Sequence, residues 1–144
     1  MLKKFRTWII LLLIATLVGV VVAYFMYNKP HPDYTAMEPE HTLSALTIYQ
    51  AFLDDPTGSN ALYTGKVIQL NGTLTRVEPL DTTAILVFAL EEGMFGEQGV
   101  RCTMHPDHLA PAEALKEGSE VNVKGYCTGF NDTDVILEKC VVVE

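Results

Sequence analysis

The segment KVIQLNGTLTRV, residues 66–77, decides the fold of this chain. Apolar Ile68, Leu70 and Leu74 alternate with polar residues at a period of two, which is the pattern of a β-strand with one buried face. Gly72 lies in the middle, where a bulge or a sharp bend is easily accommodated. Residues 71 and 72, Asn-Gly, also suit a two-residue hairpin turn. That alternative leaves two short strands, so the pattern favours one long, bent strand.

Four more strand-like segments follow this one, at residues 82–90, 100–104, 120–127 and 134–143. A short helix entered at Pro106 and stopped by Gly118 separates the third strand from the fourth. Three strands, a short helix and two strands are the order of a five-stranded OB barrel. The predicted class is therefore mainly β, an OB-fold barrel with short helices, whose first strand bends to serve both halves of the closed sheet.

A helix is predicted just before the barrel. Leucine, tyrosine and phenylalanine residues approximate one apolar face over residues 43–53. Thr42 or Ser44 is the candidate N-cap, and Pro56 and Gly58 are expected to end the helix. We expect this helix to cover an open end or edge of the sheet.

The segment 28–41 contains three prolines among polar residues and lacks helical or strand periodicity. It predicts a stiff, extended spacer that holds the domain off a membrane. His31 and His41 are interpreted as solvent-exposed residues of this spacer.

The run from Trp8 to Met26 is nineteen residues long and has no charge, and Lys3, Lys4 and Arg6 precede it. An α-helix needs roughly 20 apolar residues to cross a bilayer core of about 30 Å. The run therefore predicts a membrane anchor. A signal peptide cut after Ala23 is the alternative, although the apolar core exceeds the usual length of about 7–15 residues.

The division of charge orients the predicted anchor. Four of the ten Lys and Arg residues lie at or before Lys29, whereas all eighteen acids lie beyond it. The positive-inside rule places the N-terminus in the cytoplasm and the rest outside. The predicted domains are 1–27, a cytoplasmic tip and transmembrane anchor; 28–41, the spacer; and 42–144, one OB-fold domain with its N-terminal helix.

Five segments resemble the tRNA_anti-like family in order and spacing: YNKPH (27–31), YTGKVIQLNGTL (63–74), GVRCT (99–103), LKEGSEVNVKGYCTGF (115–130) and DVILEKC (134–140). These are small bacterial OB-fold proteins with an N-terminal membrane helix or lipoprotein signal. The resemblance implies the fold and a location in the cell envelope. With the apolar run and its flanking charges, we expect a single pass through the inner membrane and a periplasmic domain. The resemblance brings no catalytic residue with it.

The family name refers to the anticodon-binding domain of aminoacyl-tRNA synthetases, but the charge of this chain opposes nucleic-acid binding. Beyond residue 29 there are six Lys and Arg residues against eighteen acids, a formal charge of −12. OB-folds that hold single strands use a basic groove with aromatic rings for stacking. We therefore expect no nucleic-acid partner, and an extracytoplasmic address excludes tRNA.

The loop predicted at 91–99 is the best candidate for contact with a partner, since it carries Met94 and Phe95 between glycines. Together with Tyr126, Phe130 and Arg76 it would line the face that OB-folds commonly use. The alternative is that Met94 and Phe95 fold back onto the mouth of the barrel.

Three cysteines are present, Cys102, Cys127 and Cys140, and the strand registers direct the first two into the core. Cys140 follows if Glu138 and Lys139 form a bulge. Cys127 and Cys140 are expected roughly 15 Å apart at about 3.4 Å per residue, beyond the reach of a disulfide. Cys102–Cys140 is therefore the favoured bridge, because the third and fifth strands of an OB barrel are neighbours. Three buried thiols are the alternative.

No pattern for catalysis, a cofactor or a metal emerges. His105 and His108 lack a third ligand nearby, and no nucleophile with its base or phosphate-binding loop occurs. The first hypothesis is a non-enzymatic, membrane-tethered OB module that binds a protein or a saccharide in the cell envelope. The alternatives are a structural envelope element without a ligand and a nucleic-acid-binding OB-fold.

Overall fold

The computed structural model describes residues 2–29 and 32–144, in two compact units divided after Pro32. The first unit is helix α1, Leu2–Tyr27, which contains the predicted span. Its residues Lys3–Tyr27 are apolar enough and long enough to cross a membrane, and none of them is buried. The prediction for His31 lies outside the described residues.

The second unit, Asp33–Glu144, is a barrel domain. It comprises β1 (His41–Ser44), α2 (Ala45–Asp54), α3 (Pro56–Tyr63), β2 (Val67–Thr73), β3 (Arg76–Pro79), β4 (Ala84–Gly93), β5 (Gly96–Met104), a 3-10 turn (Pro106–His108), α4 (Leu109–Glu113), β6 (Glu120–Phe130) and β7 (Asp134–Val143).

The strands form one sheet in the order β1-β2-β6-β7-β5-β4-β3. β5 and β7 are parallel, and the pairs β2–β6, β6–β7, β5–β4 and β4–β3 are antiparallel. Because β2 and β3 are consecutive halves of one bent strand, the two flanks of the sheet meet through the chain itself. The OB-fold prediction is confirmed. The count is seven rather than five because the bent strand is counted twice and β1 adds an edge strand.

The bend of this long strand lies two residues later than predicted. Leu74 N–H still donates toward β6, to the Ser119 carbonyl at 2.9 Å, whereas Thr75 N–H donates to Val87 of β4 at 2.8 Å. Gly72 is instead a glycine for lack of space. A Cβ there would lie 3.1 Å from the Cβ of Ala45 and 3.1 Å from the ring of Phe88.

The segment before β2 differs from the single predicted helix. Ser44 does cap α2, accepting a hydrogen bond from Thr47 N–H at 3.1 Å. Pro56, expected to end the helix, occupies the first turn of α3, and Asp55 caps that helix through Gly58 N–H at 3.0 Å. Proline is well tolerated at the first helical position because its missing N–H would have no partner there. His41, expected to be exposed, starts β1 and packs edge-on against Tyr63.

One hydrophobic core joins the helices to the barrel. The buried face of α2 contributes Ala45, Ile48, Tyr49 and Phe52, which cluster with inward-facing residues of the strands. Ala112 of α4 is buried in the same cluster, and Leu109 and Leu115 pack against it. The predicted covering role of α2 and the inner face of the α4 segment both agree with this packing.

The second half of the predicted spacer, residues 33–40, lies against the barrel. We call this segment the strap. The Tyr34 ring stacks on Tyr126 with centroids 4.4 Å apart, and Lys139 lies 5.0 Å from the Tyr34 centroid. Lys124 Nζ donates to the carbonyls of Thr35 at 2.7 Å and Met37 at 2.9 Å. An extended spacer is therefore not what residues 33–40 form, because aromatic stacking and a lysine hold them on β6 and β7.

The three cysteines are buried free thiols in the core. Leu137 of β7 lies directly opposite Cys102 of β5 on one side and Cys127 of β6 on the other. The predicted bulge of β7 is confirmed by register shifts on both neighbours, and Lys139 within it has φ +51°. The bulge takes up one residue, so Cys140 lies only about 7 Å along β7 from the position opposite Cys127. The expected 15 Å was too long because Leu137, two residues beyond the position that a turn centred at Asn131 would give, lies opposite Cys127, and the bulge takes up one more residue.

Burial controls the chemistry of these thiols. It raises the pKa of Cys127 to about 11, and it raises that of Cys140 well above its usual value. The neighbouring Cys102 thiol interacts directly with Cys140 and raises the Cys140 pKa further. Cys102–Cys140 therefore stays the predicted pair for a bridge.

Replacing Tyr34 with Ala tests the strap. Loss of the stacked ring and of the Lys139 contact is expected to lower the free energy of unfolding of the domain by about 1–2 kcal/mol. Tyr34→Phe, which keeps the ring, is the matched control. Urea denaturation followed by circular dichroism measures both, and equal stability of Tyr34→Ala and wild type would show that the strap is not packed in solution.

Thiol counting tests the core. At pH 8 the Cys127 thiol, with a pKa of about 11, is ionised in about one molecule in a thousand. Since all three thiols are also buried, the native protein is expected to be inert to a disulfide reagent. After denaturation without reductant, protein recovered from an oxidising compartment is expected to show one reactive thiol, Cys127. Three reactive thiols would rule out the Cys102–Cys140 bridge, and Cys127→Ser should remove the remaining signal if the bridge is present.

Candidate functional site

The β4–β5 hairpin carries the most exposed apolar side chains of the barrel domain. Gly93 pairs with Gly96, so Met94 and Phe95 form a two-residue tip, 95% and 93% exposed. The alternative, in which these residues fold back onto the mouth of the barrel, does not occur. Two-residue hairpin turns favour Asn, Asp and Gly, so the turn geometry does not explain two large apolar residues at this tip.

The residues expected to form a loop on either side of the tip are a two-stranded ribbon. Beyond a register shift between Ala89 and Glu91, the ladder continues with Glu91 opposite Gln98 and Glu92 opposite Glu97. Sequence alone suggested a loop because glycines and acids are poor strand formers. Gly99 lies where the ribbon leaves the barrel, and a Cβ there would lie 2.0 Å from the Phe88 carbonyl oxygen.

Three exposed acids surround the base of the tip, and we call Glu91, Glu92 and Glu97 the acidic collar. Cross-strand partners point to the same face of a ribbon, so Glu92 and Glu97 share one face and Glu91 lies on the other. The Tyr49 hydroxyl lies 3.3 Å from Gln98 Oε1 and 3.5 Å from Glu91 Oε2. The ribbon is thereby tied to α2 at its base.

A chain of ion pairs crosses the outer face of β3, β4, β5 and β7. It runs in the order Glu97, Arg76, Glu78, Arg101 and Asp134. Arg76 Nη2 is 2.8 Å from Glu78 Oε1, Arg101 Nη1 is 3.2 Å from Glu78 Oε2, and Arg101 Nε is 3.1 Å from Asp134 Oδ2. Arg76 also contacts Glu97. Three acids therefore share two arginines on this face.

The packing under the ion pairs is tight. Val87 lies in register between Arg76 and Arg101 and is 3% exposed. Asp134 is buried and also accepts from Gly99 N–H at 3.0 Å. Hydrogen bonds from Arg76 to Glu97 and Glu78 raise the pKa of that guanidinium. Both arginines are consequently committed to carboxylates of the same chain.

Tyr126 and Phe130 lie apart from the hairpin tip. Tyr126 is covered by Tyr34 of the strap, and Phe130 stacks on Phe52 of α2 with centroids 5.6 Å apart. Arg76 is connected to the hairpin through Glu97. Of the five predicted binding residues, the structure therefore groups Met94, Phe95 and Arg76, and it gives Tyr126 and Phe130 packing partners within the domain.

Sequence reasoning missed the partners that occupy the two arginines. Glu78 follows Arg76 by two residues, which places both side chains on one face of a strand, and this signal was available in the sequence. Glu97 lies 21 residues along the chain from its partner Arg76, and Asp134 lies 33 residues from its partner Arg101. Only the barrel topology brings them together with the arginines.

Two cavities of the domain have few ionisable side chains in their linings. One of about 390 Å³ lies between the start of α2 and strands β2 and β4, and Glu120 is the one ionisable side chain in its lining. Another, of about 620 Å³, follows the β3–β4 turn at 79–83, where Asp81 is the one ionisable residue. Within residues 2–29 and 32–144, no three His, Cys, Asp or Glu side chains are grouped to hold a metal ion.

Comparisons with known proteins agree with this architecture. The chain is similar to a proposed nucleic acid-binding lipoprotein from Klebsiella pneumoniae subsp. pneumoniae MGH 78578, with 22% identity and a TM-score of 0.57 over 80% of this chain and 99% of that one. Such identity shows a shared fold and no more. The Schizosaccharomyces pombe Stn1–Ten1 complex matches at 15% identity and a TM-score of 0.36, over 54% of this chain and 58% of that one, too weakly for argument. A comparison with curated proteins gives no match.

The sequence of the whole chain also fits a family model. The tRNA_anti-like model matches residues 1–142, which include the apolar helix, the strap and nearly all of the barrel. The sequence segments that resembled this family lie on β2, β5, β6 and β7 and around the end of α1. The chain belongs to the tRNA_anti-like family.

Proposed function

We propose that this protein is a membrane-anchored OB-fold module that works outside the cytoplasm and binds a protein or a saccharide of the cell envelope without catalysing a reaction. The observation that supports this most is the hairpin tip, Met94 and Phe95, which projects almost fully exposed from a closed barrel. Large apolar side chains presented in this way mark interaction sites. They favour a protein over a saccharide, since protein interfaces bury such groups at their centres.

The proposed location rests on α1 and the charge around it. The uncharged stretch 8–26 of this helix is long enough to cross a bilayer, and the three cations Lys3, Lys4 and Arg6 lie in the turns before it. We propose a single pass through the bacterial inner membrane, with the N-terminus in the cytoplasm and the barrel in the periplasm. A cut after Ala23 would release the barrel on the same side of the membrane.

Nucleic acid is the disfavoured partner, although the Klebsiella relative is described in those terms. Strand-binding OB-folds present unpaired cations and open aromatic rings to the ligand. Here Arg76 and Arg101 are shared among three carboxylates, and Tyr34 covers Tyr126. A phosphate chain would have to displace these internal partners on a domain of formal charge −12.

A catalytic role is disfavoured by the arrangement of titratable groups. General acid–base catalysis needs two positioned groups within reach of one substrate. Each of the two cavities described above has a single ionisable residue in its lining. A structural module without a ligand remains the alternative, and it predicts no effect of the hairpin tip on any partner.

The double variant Met94→Ala/Phe95→Ala separates binding from a purely structural role. In native membranes, chemical cross-linking of the full-length protein is expected to give a discrete envelope adduct that this variant loses. Leu80→Ala, which removes another exposed apolar side chain at the β3–β4 turn, is the matched control. An adduct that survives the double variant would contradict the role of the tip.

Fluorescence anisotropy with a single-stranded 20-mer of DNA or RNA tests the exclusion of nucleic acid. At low salt, wild-type domain is expected to show no binding up to about 100 μM, since non-specific binders respond at about 1–100 μM even at physiological salt. Glu78→Gln/Glu97→Gln, which releases the arginines, is expected to gain weak binding that salt abolishes. Glu113→Gln/Glu117→Gln makes the same charge change away from the arginines. Salt-dependent binding by wild type would contradict the proposal.

A further inference from the structure

The fold accounts for the acidic collar in part: Arg76 pairs with Glu97, and the Tyr49 hydroxyl lies 3.5 Å from Glu91 Oε2. Glu92 and Glu97 are directly opposite on the hairpin, one pair away from the tip. Like charges in directly opposed cross-strand positions destabilise a hairpin. Arg76 offsets Glu97 alone, so Glu91 and Glu92 remain exposed beside Met94 and Phe95. An apolar tip ringed by uncompensated negative charge presents a definite electrostatic pattern to whatever receives it.

That pattern excludes three classes of occupant. Nucleic acid and anionic lipid would be repelled by the collar. A second copy of this chain would bring the same three acids, and five of its six cations in the barrel domain are already engaged. Lys66 contacts Glu40, Arg76 and Arg101 lie in the ion-pair chain, Lys124 binds strap carbonyls and Lys139 lies on Tyr34.

We infer that the hairpin inserts Met94 and Phe95 into an apolar pocket of an envelope protein whose rim carries Lys or Arg side chains that face the acidic collar. This inference rests on the proposed function and names the chemistry of the partner. Apolar centres with polar rims are the usual anatomy of protein interfaces. Complementary rim charges speed association and select the partner, while the buried centre holds it. The ribbon is already ordered at its base through Tyr49, so little conformational freedom is lost on binding.

The test places a photoreactive phenylalanine analogue at position 95 of the full-length protein in its native membranes. The expected result is a discrete protein adduct whose yield falls about five- to tenfold in Glu91→Gln/Glu92→Gln and falls with added salt. Glu113→Gln/Glu117→Gln changes net charge equally at exposed sites far along the chain and should leave the yield unchanged. Circular dichroism and urea denaturation confirm that each variant is folded.

Each result decides a different statement. An adduct of unchanged yield in Glu91→Gln/Glu92→Gln overturns the cationic rim and leaves the proposed protein partner in place. An equal loss in the Glu113/Glu117 control shows a general charge effect and overturns the rim as well. Adducts only to lipid, or only to a second copy of the chain, overturn both the inference and the proposed function.

Discussion

The change of hydrogen-bond partner between Leu74 and Thr75 is the constraint on which the rest of the domain depends. One strand cannot pair with β6 and β4 at once unless it turns between them. The turn lies between these adjacent residues, because Leu74 N–H donates toward β6 and Thr75 N–H donates to β4. The turn closes the sheet, and closure removes the long open edges that make flat sheets prone to aggregate. It also fixes the interior, where Gly72 leaves the space that Ala45 and Phe88 fill.

Closure has electrostatic consequences on the outside of the barrel. It sets β3, β4, β5 and β7 side by side, so Arg76 and Arg101 meet acids from three other places in the sequence. The carboxylates around these partly buried arginines neutralise the guanidinium charges. Little positive potential is left to attract an external phosphate. The face that OB-folds often use for polyanions is thus neutralised internally, and the exposed chemistry moves to the hairpin. A shared fold with the Klebsiella lipoprotein does not carry its ligand over, since function depends on the site.

Sequence reasoning succeeded where a local pattern carried the information. The strand pattern predicted β7 over 134–143 in full, the inward register of Cys140 required the bulge at Glu138–Lys139, and Ser44 was one of the two candidate caps. It failed where distant contacts decide the outcome. β1 has four residues, too few for periodicity, and it exists because β2 offers a parallel edge. The ribbon around Met94 looked like a loop. The strap looked like a spacer because the residues that hold it, Tyr126 and Lys124, lie some ninety residues away along the chain.

The central claim is that this protein binds its partner through the hairpin, while the outer face of β3, β4, β5 and β7 is occupied by ion pairs within the chain. Hydrogen exchange measured by mass spectrometry tests this most directly, on the full-length protein in native membranes and after purification in detergent. The account predicts that the native envelope slows exchange of amides in residues 91–98 and leaves residues 76–79 and 101–103 unchanged. Slower exchange in those outer strands, with none in the hairpin, would contradict it.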